Sequence, residues 1–273
     1  MLKQRVLTAL ILLPLVMAAI FAAPAQWFMA ILAVILLRGS WEYSLLAGLN
    51  GQAARYSMVV LQAAILATLF NYRDLWASHA LVYLSASCAL WLLMFIRLSR
   101  FRAEAEPDST YRLTSYVTSI LSITTGWFAI SWLVMQAEGS WLLLLLLLIV
   151  WAADTGAYFA GINFGKKKLA PLISPGKTLA GLWGGLIAGP LIALLAANLM
   201  PITRINSVWL VLLGLSTALV SVCGDLLISL HKRTSGVKDS GTLLPGHGGI
   251  LDRVDSLIAA APFFALGLLV SGL

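Results

Sequence analysis

Long apolar stretches separated by short polar ones form the pattern of this chain. Nine stretches can be delimited, at about residues 6–22, 27–47, 56–71, 75–96, 115–135, 141–162, 179–199, 207–230 and 254–272. A bilayer core takes about twenty apolar residues of helix, and the stretches approach that length. The run at 141–150 is almost pure leucine. The pattern predicts an all-α, polytopic membrane protein with about nine transmembrane helices. Arg38 and Glu42 interrupt the second stretch and could shorten it. Lys3 and Arg5 precede the first stretch, and Ala22-Ala-Pro-Ala25 has the look of a signal-peptide cleavage region. The reading keeps that stretch as a membrane span.

Composition supports lipid as the main solvent. The chain is 60% hydrophobic and 11% charged, whereas soluble domains carry about 25% charged residues. The net charge is +7. In a membrane protein such cations mark cytoplasmic loops, so no nucleic-acid partner is expected. Nine spans with the N-terminus inside put all eighteen Lys and Arg on the cytoplasmic side except Arg73 and Arg204. Cys88 and Cys223 lie in apolar runs and imply neither a disulfide framework nor a zinc site. His79 reads as interfacial and His231 as a loop residue. The longest polar segments, 97–114, 163–178 and 231–253, are too short to fold alone. The chain therefore divides into N-terminal helices (1–137) and C-terminal helices carrying the site (138–273) within one integrated membrane domain.

The acidic residues narrow the chemistry. Asp154, Asp225, Asp239, Asp252 and Asp255 fall in the second half, most of them in or at the ends of apolar runs. A carboxylate near hydrocarbon is costly without a partner or a function. Asp225 shares a helical stripe with Ser221, Ser229 and Lys232, at i−4, i+4 and i+7. Its bland reading is a snorkelling Asp–Lys pair. Asp252 and Asp255, spaced i, i+3, share one face at the start of the last span, where capping alone would also explain them. Pro245-Gly-His-Gly-Gly249 precedes them, and glycines before a helix start let a phosphate approach backbone N–H groups. Between the two helix ends lies Lys232-Arg-Thr-Ser-Gly-Val-Lys-Asp239. Metal-bound polyphosphate accounts for acids and cations together. Ser174-Pro-Gly-Lys-Thr178 places a cation and hydroxyls before another span. It is no Walker A loop, because Pro171 stands where the first glycine belongs and no strand is expected before it. Asp154, in Trp151-Ala-Ala-Asp-Thr-Gly-Ala-Tyr158, is either an interhelical bond or part of the site.

The segment Ser229-Leu-His-Lys-Arg-Thr-Ser-Gly-Val-Lys-Asp-Ser-Gly-Thr-Leu-Leu-Pro-Gly-His-Gly-Gly-Ile-Leu-Asp-Arg-Val-Asp255 closely resembles the signature of the phosphatidate cytidylyltransferases, or CDP-diacylglycerol synthases. Gly224-Asp225, Ser174-Pro-Gly-Lys-Thr178, Lys168-Leu-Ala-Pro171 and Trp151-x-x-Asp-x-Gly-Ala-Tyr158 resemble the family too, so the likeness covers about residues 150–256. Ala180 and Ile228 depart from it, standing where the family usually has Glu or Gln, and Glu; Leu179 stands where the family usually has an aromatic or aliphatic residue.

The resemblance implies that CTP and phosphatidic acid yield CDP-diacylglycerol and pyrophosphate, with Mg²⁺ as cofactor. Asp225 and Asp252 are then expected as metal ligands, and Asp255 as a ligand or orienter. Lys232 joins these three as catalytic. Arg233, Lys238 and Arg253 would neutralise phosphates. Ser229, Asp239, His247, Gly248 and Gly249 would position substrate, and Ser174, Lys177 and Thr178 would close the other side. The site is expected on the cytoplasmic face of the cell's inner (plasma) membrane, among membrane lipids. A homodimer is the one protein assembly the reading keeps open. The rival reading is an ion-coupled transporter using intramembrane carboxylates. Acids at helix ends, away from the midplane, argue against it. The Asp-Gly-x-x-Ala-Arg pattern of a CDP-alcohol phosphotransferase is missing.

Overall fold

The computed structural model describes residues 2–49, 51–99, 108–202, 205–244, 246 and 248–272. In chain order the elements are α1 (Leu2–Ala22), α2 (Ala25–Leu46), α3 (Gln52–Asn71), α4 (Arg73–Ala77), α5 (Ala80–Ser99), α6 (Ser109–Val134), α7 (Gly139–Phe164), β1 (Lys168–Ala170), β2 (Ser174–Thr178), α8 (Leu179–Leu199), α9 (Ser207–Thr234) and α10 (Leu251–Val270). Among the described residues, seven helices are long and apolar enough to cross a membrane: α2, α3, α6, α7, α8, α9 and α10. Apolar helix in α1 and α5 is shorter, at Leu10–Ala22 and Ala80–Ile96. The expected span at 75–96 is thus broken, because the backbone turns at Ser78 and His79 between α4 and α5. The second span does not end at Arg38 but runs on through Glu42.

Helix starts follow local chemistry. Asp108, Thr178 and Asn206 cap α6, α8 and α9 by accepting backbone N–H groups of Tyr111, Gly181 and Val208. The region 22–25 forms the tight link between α1 and α2. Ser140 Oγ donates to the Ile20 carbonyl at 2.6 Å and docks α1 on the start of α7. α6 is the most deeply enclosed spanning helix and packs on α2, α3, α5 and α10. Its hydroxyls serve as polar joints: Gln62 Nε2 donates to Thr124 Oγ1 at 2.9 Å and Trp91 Nε1 to Thr125 Oγ1 at 3.0 Å. Such bonds hold helices together where lipid supplies no hydrophobic drive.

α7, α8, α9 and α10 follow one another in space as well as in sequence. α7 and α8 touch backbone to backbone at Gly156 and Gly184. A Cβ on Gly156 would lie 2.7 Å from the Gly184 carbonyl oxygen, and a Cβ on Gly184 would lie 2.5 Å from that of Gly156. Only glycine at both places allows this approach. Between α7 and α8, β1 and β2 form an antiparallel hairpin, in which Lys168 faces Thr178. This strand pair inside the 163–178 segment corrects the expectation that no strand precedes Ser174.

Candidate active site

The site is built where the C-terminal end of α9 and the start of α10 meet the hairpin. α9 stops because Gly236, at φ +70°, takes the left-handed conformation. The N–H of Val237 bonds to the Lys232 carbonyl at 2.9 Å and that of Gly236 to the Arg233 carbonyl at 3.1 Å. This paired ending is a Schellman motif. It leaves His231, Lys232 and Arg233 in the last turn, where the helix dipole favours cations.

Asp225 and Ser229 meet as their spacing predicts, with Ser229 Oγ donating to Asp225 Oδ1 at 3.0 Å. The other carboxylate oxygen faces Lys177 Nζ of β2 at 2.6 Å. That ion pair ties the hairpin to α9. Lys232 leaves the stripe's Asp225 to a longer-range electrostatic contact and pairs with Asp252 Oδ1 at 2.7 Å. Asp252 Oδ2 accepts from the Ser240 backbone N–H at 2.8 Å, Ser240 Oγ at 2.9 Å and the Gly249 N–H at 3.0 Å. Gly248 sits at φ +80°, and a Cβ there would meet Asp252 Oδ2 at 2.7 Å. The glycines before α10 thus let the backbone fold around a carboxylate.

Asp255, one turn on, is buried and accepts the Ser256 backbone N–H at 2.7 Å. It lies within electrostatic reach of Asp225, Lys232 and Lys177. Asp154 of α7 lies within reach of Lys177, Asp225 and Arg253. Asp154 and Lys177 also line a cavity of about 450 Å³ between α7, the hairpin, α8 and α9, with Lys168 and Thr178 nearby and Ile162, Leu169, Leu182 and Val222 as apolar wall. Asp154 thus stands beside the charged cluster.

The remaining expected residues take varied places. Arg233 Nε donates to the Ile173 carbonyl at 3.1 Å and pins the hairpin's turn to α9. Thr178 is buried, its hydroxyl engaged in capping α8. Ser174 is half-buried at the start of β2, while Lys238, Asp239 and Arg253 are exposed. His247 lies outside the described residues. His231 is no loop residue: it belongs to α9, is fully buried, and its ring meets Tyr43 at 5.3 Å and Tyr111 at 5.8 Å. Among the described residues no group of three or more His, Cys, Asp or Glu gathers to hold a metal ion. The donors that fit a hard divalent cation are the carboxylates of Asp225 and Asp252, each now bonded to a lysine.

One carboxylate reaches this region from the other half of the chain. Glu42 of α2 accepts the Leu251 backbone N–H at 2.9 Å and Ser240 Oγ at 3.2 Å. Sequence reasoning noted it only as an interruption of an apolar run. Its pairing with Arg38 at i, i+4, inside a span, was the available signal.

Membrane-length helices converging on a cluster of paired carboxylates and lysines define an integral membrane protein with its charged centre at the helix ends. The chain belongs to the cytidylyltransferase family, which it matches over residues 3–270. It is 36% identical over 283 residues to the phosphatidate cytidylyltransferase of Haemophilus influenzae, covering 97% of this chain and 98% of that protein. Identity to the phosphatidate cytidylyltransferase of Pseudomonas aeruginosa is also 36%, over 100% of this chain and 98% of that protein. The Staphylococcus aureus enzyme of the same name is 45% identical over 137 residues, half of this chain and 52% of that protein.

Proposed function

We propose that the charged centre of α9, α10 and the hairpin transfers the cytidylyl group of CTP to phosphatidate, from the cytoplasmic side of the inner membrane. The observation that carries this reading is the Lys177–Asp225 pair, whose lysine lines a cavity with apolar walls, with a second lysine–carboxylate pair, Lys232–Asp252, further along α9. An anionic lipid needs both features: cations for its phosphate and an apolar path for its chains.

An oxygen of the lipid phosphate attacks the α-phosphorus of CTP. A P–O bond forms there as the bond to the bridging oxygen of the β-phosphate breaks, and pyrophosphate leaves. A phosphate monoester has its second pKa near ~6 and is already mostly dianionic at neutral pH, so little general-base help is required. The barrier lies in repulsion between anions and in charge on the leaving group. Lys177 can turn from Asp225 to these phosphates, while Lys232, held by Asp252, adds positive charge beside them. Arg233, Lys238 and Arg253 add positive charge around them. Asp225 and Asp252 would hold Mg²⁺, which neutralises phosphate oxygens when bound. Mg²⁺ commonly binds through one or two carboxylates completed by substrate phosphates, and two are present here. Asp255 and Asp154 surround that pair and orient its lysines electrostatically.

The test is direct. Purified protein with labelled CTP, phosphatidate and Mg²⁺ should form CDP-diacylglycerol and pyrophosphate, and chelation should stop it reversibly. No lipid-linked label in folded protein, across metals and detergents, would overturn the reading.

A further inference from the structure

We infer that Glu42 is a positioning residue for the transfer reaction, acting on Asp252 through Ser240, Gly249 and the start of α10. This inference rests on the reading of Asp252 as part of the reacting centre. Glu42 is 2% exposed. A carboxylate so placed is costly unless its oxygens are bonded. Its partners are specific. Ile250, at the start of α10, offers no side-chain cap, and Glu42 Oε2 takes the orphan Leu251 N–H in its place. A helix 209 positions earlier in the chain thus caps the helix that carries Asp252 and Asp255.

The loop before α10 is shaped around the same group. A Cβ on Gly241 would lie 2.7 Å from Glu42 Oε1, and one on Gly249 would collide with Oε2. Ser240 and Gly249 are held between two carboxylates. On one side stands Glu42. On the other stands Asp252, bonded by the Ser240 N–H, the Ser240 hydroxyl and the Gly249 N–H. The single Ser240 hydroxyl proton can serve either carboxylate, at 3.2 Å to Glu42 or 2.9 Å to Asp252. Glu42 therefore fixes the backbone that orients Asp252, and Asp252 holds Lys232. Arg38 Nη2, 3.4 Å from Oε1, keeps Glu42 itself in register.

The experiment compares Glu42→Gln, Glu42→Asp and Ser240→Ala with the wild type. Each is followed by thermal midpoint in detergent and by kcat and KM for CTP and for phosphatidate. Glu42→Gln keeps the shape and one acceptor oxygen. It should lower kcat about tenfold, with KM for phosphatidate nearly unchanged and the thermal midpoint near wild type. Glu42→Asp keeps the charge but withdraws it from Leu251, so it should not rescue kcat. The Glu42→Gln/Ser240→Ala double variant should lose less than the product of the single losses, since both act on Asp252 through one connected network. Wild-type kcat in Glu42→Gln and Glu42→Asp would overturn the inference. So would losses that follow thermal midpoint alone and vanish in assays at lower temperature. An inactive wild type would instead sink the proposed reaction, which separates the two failures.

Discussion

The two lysine–carboxylate pairs differ in exposure, and the difference separates moving parts from framework. Lys177 and Asp225 have side chains 25% and 30% exposed, whereas Lys232 and Asp252 are 11% and 4% exposed. The open pair joins a hairpin to α9, and its lysine borders the cavity. The closed pair joins two packed helices, and Asp252 has every oxygen engaged. Water and substrate reach the first more readily, because both of its side chains are only half-buried. Separating the second leaves a buried charge without compensation. The open pair thus suits exchange with an incoming phosphate, and the closed pair suits holding the helix ends in place.

Lys232→Met should have the largest effect. It strands the Asp252 charge, costing about 3–5 kcal/mol of stability. The thermal midpoint in detergent should drop and turnover should vanish; an unchanged midpoint would erase the distinction between the pairs. Asp225→Asn comes next. It should abolish most CTP-dependent turnover while lowering the thermal midpoint less than Lys232→Met does. Combined with Asp252→Asn it should lose little more turnover than the worse single variant if the two acids act as one unit. Lys177→Gln should lower kcat/KM for CTP about ten- to hundredfold at an unchanged midpoint. A loss confined to phosphatidate would assign Lys177 to the lipid phosphate. The smallest effect is reserved for topology. Tyr111 meets His231 at 3.0 Å, which puts the start of α6 on the same side as both pairs. A cysteine at exposed Ser109 should react only with a cytoplasmic thiol reagent and leave activity intact. Labelling from outside intact cells would place both pairs on the opposite side.

The membrane helices were legible because apolar runs of bilayer length are the strongest pattern a sequence carries. Legible too were Asp225, Ser229, Lys232, Asp252 and Lys177 as candidate site residues, since Lys177, Lys232 and Asp252 sit in short polar segments at span ends and Asp225 and Ser229 share a helical stripe with Lys232. Which lysine meets which acid was not. The stripe on α9 suggested Asp225 with Lys232, but Asp225 bonds Lys177 of the hairpin and Lys232 turns to α10. Helical spacing cannot register a competitor arriving from another element. The hairpin escaped notice because Lys-Leu-Ala and Ser-Pro-Gly-Lys-Thr have no alternating pattern. His231 looked like a loop residue because the last turn of α9 is polar, yet two tyrosines from α2 and α6 enclose it. Glu42 escaped for a plainer reason: its hydrogen-bond partners lie some 200 residues away, and the i, i+4 spacing to Arg38 announces a charged pair in a span but not what that pair holds.

The capping of α10 by Glu42 also orders events in time. The carboxylate leaves the ribosome 209 residues ahead of Leu251. At about 5–20 residues per second, that is an interval of roughly ten to forty seconds. For nearly all of it neither Ser240 nor Leu251 exists, and α2 must rest in the membrane with an acid near its end. Arg38, one turn before Glu42 on the same helix, is the partner already present. It lets the nascent helix settle as a neutral pair until the last helix arrives. An Arg38→Gln chain would therefore suffer while it is being made, in insertion and yield, more than in the finished enzyme.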